Sequence, residues 1–130
     1  MKVFIVDDSN VVRERLVSML SELAGVEIIG QAEDAFSALE AIPVLKPDVV
    51  ILDIYMPGSA TGMYVLERIR RERNPPTIIM LTNYSYEQYK KRCLGAGAAF
   101  FFDKSTEFEK VPEVLMSLLS GVSPLTDSHK

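Results

Sequence analysis

The chain has 130 residues, 48% of them hydrophobic, with 14 Lys and Arg against 18 Asp and Glu. A chain of this length buries roughly 65–70% of its unfolded surface, so it needs neither disulfides nor a structural metal to build a core, and its lone Cys93 has no internal partner. The net charge of −4 gives no broad cationic footprint for nucleic acid or an anionic membrane, and Asp7 and Asp8 end the N-terminal apolar run too early for a signal peptide or membrane span. The expectation is one acidic globular domain in a reducing cytoplasm.

Strand-length apolar runs alternate with helical periodicity, the pattern of β-α units on a parallel sheet. Val3–Val6 is the first strand. Val12, Leu16, Met19, Leu20 and Leu23 then recur at helical intervals up to a stop signal at Gly25. Val26–Gly30 reads as the second strand. Asp34 caps a helix with apolar face Ala35, Ala38, Leu39 and Ile42, which Pro43 and Pro47 are expected to close. Val49–Leu52 has no polar alternation, as in a central strand covered on both faces. The loop from Pro57 to Gly62 leads to a helix carrying Met63, Leu66 and Ile69, with Arg68, Arg70, Arg71 and Arg73 on its solvated face among Glu67 and Glu72. Thr77–Leu81 is the fourth strand, and a helix follows from Tyr86 to Leu94, ending at Gly95 or Gly97. Ala98–Phe102 is the fifth strand. The last helix carries Val111, Leu115, Leu118 and Leu119; Thr106 and Glu109 offer a capping box, but Pro112 places the start later. From Gly121 the apolar period stops, so the domain is expected over residues 1–121 with a short tail over 122–130. The single histidine, His129, lies in that tail, a poor place for metal or catalytic chemistry.

In an open parallel sheet the loops beyond the strands' carboxyl ends form the ligand crevice. Asp7 and Asp8 follow the first strand, Asp53 the third, Thr82 the fourth, and Asp103 and Lys104 the fifth. Taken singly, Asp7 or Asp8 reads as a helix cap, Asp53 as a turn residue and Lys104 as a surface lysine. Taken together under the strand order 2-1-3-4-5, three carboxylates converge at the switch point, and they stay ionised only beside a cation. An all-oxygen set with no nearby His or Cys favours Mg2+. A carboxylate beside Mg2+, with a hydroxyl and an ammonium near it, has what phosphoryl transfer onto oxygen requires, and Asp53 is the plausible nucleophile.

At Val6-Asp7-Asp8-Ser9, Leu52-Asp53-Ile54-Tyr55-Met56-Pro57, Leu81-Thr82-Asn83 and Phe101-Phe102-Asp103-Lys104, the chain resembles the receiver domain of two-component response regulators, over about residues 2 to 120. The resemblance implies a flavodoxin-like doubly wound (βα)5 fold in which Asp53 accepts a phosphoryl group from a sensor histidine kinase or histidine phosphotransfer protein. It implies that Asp8, Asp53 and the main-chain carbonyl of Tyr55 ligate Mg2+, with Asp7 acting mainly through water. Thr82 and Lys104 would bind phosphoryl oxygens, and Phe101 would turn inward as Thr82 moves, though a strand-five aromatic also reads as plain core. The implied product is a stand-alone switch, not an enzyme acting on other substrates. Its helix 4, strand 5 and helix 5 face controls a downstream protein, with a homodimer on phosphorylation an open option. Two features depart from the family pattern: the step from Pro57 to Gly62 is five positions rather than four, and Ser105 replaces the frequent proline after the lysine.

Tyr55 and Tyr84, each two residues beyond a site residue, either shade the phosphoryl group from water or lie flat on the surface. Tyr86, Tyr89 and Cys93 form a helical stripe, either exposed or, more commonly for such stripes, buried against the sheet. The competing functional classes are a small Mg2+-dependent phosphohydrolase, which wants a second acid where Tyr55 stands, and a flavin carrier, whose phosphate Asp7 and Asp8 would repel.

Overall fold

A computed structural model describes residues 1–56, 58 and 61–121. In chain order the elements are β1 (Lys2–Val6), α1 (Asn10–Leu20), β2 (Glu27–Ala32), α2 (Ala35–Leu45), β3 (Val49–Leu52), α3 (Gly62–Arg70), β4 (Thr77–Thr82), α4 (Glu87–Gly95), β5 (Phe100–Asp103) and α5 (Lys110–Ser120). The strands are parallel in the order β2-β1-β3-β4-β5, the expected doubly wound arrangement, with β1 and β3 paired from Val3 with Val49 to Val6 with Leu52. The tail over 122–130, including His129, lies outside the described residues, as do Pro57, Ser59 and Ala60 of the lengthened loop.

Alternation at period two feeds two cores. Phe4, Val50, Leu52, Met80 and Phe101 point to α2, α3 and α4; Val3, Ile5, Ile51, Ile79 and Leu81 point to α1 and α5. Because both faces are covered, β1, β3 and β4 carry apolar residues at successive positions, which is why they lack polar alternation.

Several boundaries differ from the sequence expectation. Neither Asp7 nor Asp8 caps α1: Ser9 does, its hydroxyl accepting the Val12 N–H at 3.2 Å. That helix ends at Leu20, short of Gly25, which instead sits at φ +88° in the turn before β2, where a side chain would meet Leu119. Asp34 caps α2 as expected, accepting the Ser37 N–H at 2.7 Å. Pro43 does not stop α2, which runs on to Leu45. Its missing N–H costs one bond in the last turn, and buried Ala38 and Ile42 hold the helix to the core until Lys46 closes it in the left-handed region. The Thr106 capping box does not form, because the Thr106 N–H donates to Asp103 at 3.0 Å; α5 starts at Lys110 with Pro112 in its first turn. β2 extends to Ala32, and β4 and β5 take in Thr82 and Asp103.

The Tyr86, Tyr89 and Cys93 stripe divides: Tyr86 is exposed, Tyr89 half-buried, and Cys93 fully buried with its sulfur 3.2 Å from the Met63 sulfur. Burial pushes the Cys93 thiol up to about 11, so at pH 8 almost no thiolate exists to react. Native protein is expected to label with iodoacetamide at pH 8 at least about 100-fold more slowly than urea-unfolded protein, by intact mass; equal rates would contradict this burial.

Candidate functional site

The sheet ladder continues past the strand ends and fixes the first site residues. The Asp7 N–H donates to the Ala32 carbonyl at 3.0 Å, and the Asp53 N–H donates to the Val6 carbonyl at 3.1 Å. From the far side of β4, the Lys104 N–H donates to the Thr82 carbonyl at 2.9 Å. Asp103 shapes the loop that follows by accepting the N–H groups of Ser105 and Thr106 and the hydroxyl of Ser85. Those bonds, the Ser85 hydroxyl first, hold its carboxyl below the usual range. Asp103 is therefore a loop organiser and is not among the residues lining the cleft.

Lys104 reaches back over the switch point. Its Nζ lies 2.7 Å from Asp7 Oδ2 and 2.9 Å from Asp53 Oδ2. The other oxygen of each carboxylate is held by a loop amide: Ser9 N–H to Asp7 at 2.9 Å, Ile54 N–H to Asp53 at 2.7 Å. Asp7 and Asp53 are buried, while Asp8 is exposed at the rim. One carboxylate oxygen from each of the three lies within 4.8 Å of the others. Burial pushes the Asp7 carboxyl up, against the pull of Lys104 and of the Ser9 amide. Burial alone would lower the Lys104 ammonium, but the two carboxylates outweigh it and hold it above its ordinary 10.5. Three carboxylates against one ammonium leave two negative charges in excess, and every converging ligand atom is oxygen. That donor set fits a hard divalent cation.

A cleft of about 350 Å3 opens here, its lining including the charged Asp8, Asp53 and Lys104 together with Tyr55, Met56 and Tyr84. Thr82, at the end of β4, is fully buried, and its hydroxyl accepts the Tyr84 N–H at 3.1 Å, which leaves the hydroxyl proton free to donate. Phe101 is buried in the core cluster on the α4 side. The Tyr55 and Tyr84 rings are both exposed and pack against each other at the cleft, centroids 4.2 Å apart and tilted by 51°.

Asp7, Asp8, Asp53 and Lys104 are thus brought together, Tyr55 lines the same cleft, and Thr82 is joined to it through the backbone N–H groups of Lys104 and Tyr84. Sequence reading missed two residues. Gly62 donates its N–H to the Ile54 carbonyl at 2.6 Å and sits directly on the Asp53 backbone. Tyr89, on α4, places its hydroxyl 2.9 Å from that of Tyr55. The glycine after the Met-Pro motif and the tyrosine stripe were the available signals, but neither names its partner.

The model of the response regulator receiver domain family matches residues 3–116. The chain belongs to that family. As a receiver domain it serves two-component response regulation, in which phosphorylation and control of a partner are the general function. The receiver is 29% identical over 120 residues to response regulator GacA of Pseudomonas aeruginosa, covering 92% of this chain and 56% of GacA. It is 34% identical over 127 residues to an uncharacterised response regulatory protein of Vibrio cholerae, covering 94% of this chain and 52% of that protein. The receiver thus spans about half the length of these relatives. Among solved structures, the RcsB receiver of Salmonella enterica, determined with the phosphomimetic BeF3−, superposes with TM-score 0.86 at 26% identity, covering 95% of this chain and 91% of that one. CheY in a CheX-CheY-BeF3-Mg2+ complex from Borrelia burgdorferi gives TM-score 0.81 at 31% identity, covering 92% and 89%. Among the described residues of the receiver, no helix is long and apolar enough to cross a membrane.

Proposed function

We propose that Asp53 is the phosphoacceptor of a Mg2+-dependent switch and takes its phosphoryl group from a phosphohistidine on a sensor histidine kinase or histidine phosphotransfer protein. The observation that carries this reading is the single ammonium of Lys104 shared between Asp7 and Asp53 at the switch point, with Asp8 beside them. An Asp53 carboxylate oxygen attacks phosphorus, a P–O bond forms, the P–N bond breaks, and the imidazole leaves with the electron pair and takes up a proton from solvent. The Lys104 ammonium is already within reach of the group that would carry the phosphoryl oxygens, and the Thr82 hydroxyl can turn its proton to the same oxygens. Asp8, Asp53 and the Tyr55 carbonyl would hold Mg2+, with Asp7 in support. Bound there, the ion supplies neutralisation of charge on the phosphoryl oxygens.

Once phosphorylated, Asp53 draws Thr82 upward and favours the inward Phe101, biasing the α4, β5 and α5 face on which Tyr86, Leu94 and Met116 are exposed. That face would bind a downstream protein or a second copy of the chain, with no direct role for nucleic acid or membrane. The Tyr55 and Tyr84 rings, packed against each other at a tilt, restrict in-line attack by water. The receiver occupies residues 1–121 and works in the cytoplasm. A phosphohydrolase reading is disfavoured because Tyr55, tied to Tyr89, stands where the second acid is wanted.

The test is incubation of the chain with acetyl phosphate and Mg2+. Intact mass is expected to rise by about 80 Da, the adduct being lost in hydroxylamine and absent in EDTA, as for an acyl phosphate. No increment would overturn the reading, and steady phosphate release without an adduct would favour the hydrolase.

A further inference from the structure

We infer that Tyr89 of α4 is a positioning residue for the phosphoryl-transfer site, acting through the hydroxyl of Tyr55. The inference rests on Asp53 being the phosphoacceptor and concerns a residue that does not itself line the cleft.

Tyr55 is 40% exposed and belongs to the loop after β3, so its ring has several rotamers open to it unless something selects one. Two contacts do. Its ring meets Tyr84 with centroids 4.2 Å apart, and it meets Tyr89 edge-on at 6.1 Å, with the two hydroxyls 2.9 Å apart and one donating to the other. Tyr89 is a firm anchor. It is half-buried on α4 and packs against the same core cluster that holds Phe101 and Cys93. The anchor therefore fixes where the Tyr55 ring stands over the cleft, and through the ring it steadies the backbone of a residue that borders Asp53.

The chain of contacts also runs the other way. The Tyr84 N–H donates to the Thr82 hydroxyl at 3.1 Å, so any movement of Thr82 toward a phosphoryl group is felt at Tyr84, then at Tyr55, then at Tyr89. α4 thus has a second connection to the site beside the one through Phe101. Coupling free energy is reciprocal, so a phosphoryl group that shifts α4 implies that a change at the α4 end alters the site. Tyr64 on α3 supplies the control: it is exposed, its hydroxyl accepts from Arg68 at 2.9 Å, and it is not one of the residues lining the cleft.

The experiment phosphorylates the full chain with acetyl phosphate and Mg2+, removes the donor, and follows loss of the adduct in wild type, Tyr89→Phe, Tyr55→Phe, the double variant and Tyr64→Phe. Each of Tyr89→Phe and Tyr55→Phe is expected to speed dephosphorylation about three- to tenfold, and the double variant is expected to be no faster than the faster single one, since both remove one bond. Tyr64→Phe should match wild type. Additive effects in the double variant, or a Tyr89→Phe rate within about 1.5-fold of wild type, would overturn the role of Tyr89 while leaving Asp53 as acceptor. If wild type takes up no phosphoryl group at all, the functional reading falls first and this role with it. A general loosening of the fold would lower the unfolding midpoint of Tyr89→Phe and would not cancel in the Tyr55→Phe background.

Discussion

Asp53→Asn is expected to fold normally and to take up no phosphoryl group from acetyl phosphate, a loss of at least about 1,000-fold in labelling rate by intact mass. The amide keeps the shape and an oxygen for Lys104 or for the Ile54 N–H, but it lacks the anionic oxygen that attacks phosphorus. The sign of the stability change is separately informative. Wild type sets the carboxylates of Asp7, Asp8 and Asp53 against one ammonium, and Asn reduces that excess while Lys104 keeps Asp7 at 2.7 Å. In EDTA the unfolding free energy from urea denaturation should therefore stay level or rise, by up to about 1 kcal/mol, since the like-charge repulsion removed exceeds the one attraction lost. Added Mg2+ should stabilise wild type more than the variant, because ligands that bind only the folded state raise its stability by mass action. A variant destabilised by more than about 1 kcal/mol in EDTA would mean that the Lys104–Asp53 bond outweighs the repulsion, and the charge argument for a cation would lose its footing.

The sheet and its polar edge were legible because both rest on local regularities. Runs such as Val49–Leu52 state their own burial, and once the strand order places β1 beside β3, the residues after those strands must meet. Helix ends were less legible because they are decided by competition with distant groups. Thr106 has a capping partner in Glu109 on paper, but Asp103 captures its amide first. Pro43 reads as a stop, but Ala38 and Ile42 are buried on the face that holds α2 down, and the lost hydrogen bond falls where the helix was about to end. The tyrosines show the same limit. Tyr55 and Tyr89 are 34 residues apart, and no spacing rule pairs two hydroxyls across that separation.

Gly62→Ala is expected to destabilise the fold by about 2–4 kcal/mol and to slow phosphorylation of Asp53 at least about tenfold. A β-carbon at Gly62 would lie 1.8 Å from the Asp53 carbonyl oxygen, 2.8 Å from its carbonyl carbon and 2.9 Å from the Ile54 α-carbon. All three are backbone atoms, so no rotamer change relieves the overlap. Either the start of α3 lifts away, breaking the 2.6 Å bond from the Gly62 N–H to the Ile54 carbonyl, or the exit of β3 shifts and carries Asp53 off Lys104. The first route costs stability, and the second costs alignment. The lengthened segment before Gly62 therefore has to deliver a residue with no side chain onto Asp53, whatever path it takes. Gly95→Ala is the control, since nothing lies within 4 Å of its β-carbon, and it should be neutral or stabilising by up to about 1 kcal/mol. Urea denaturation and acetyl phosphate labelling read both variants. A Gly62→Ala protein within about 0.5 kcal/mol of wild type would show that the β3 exit yields freely, and a site that yields so freely would not hold Asp53 in place for attack.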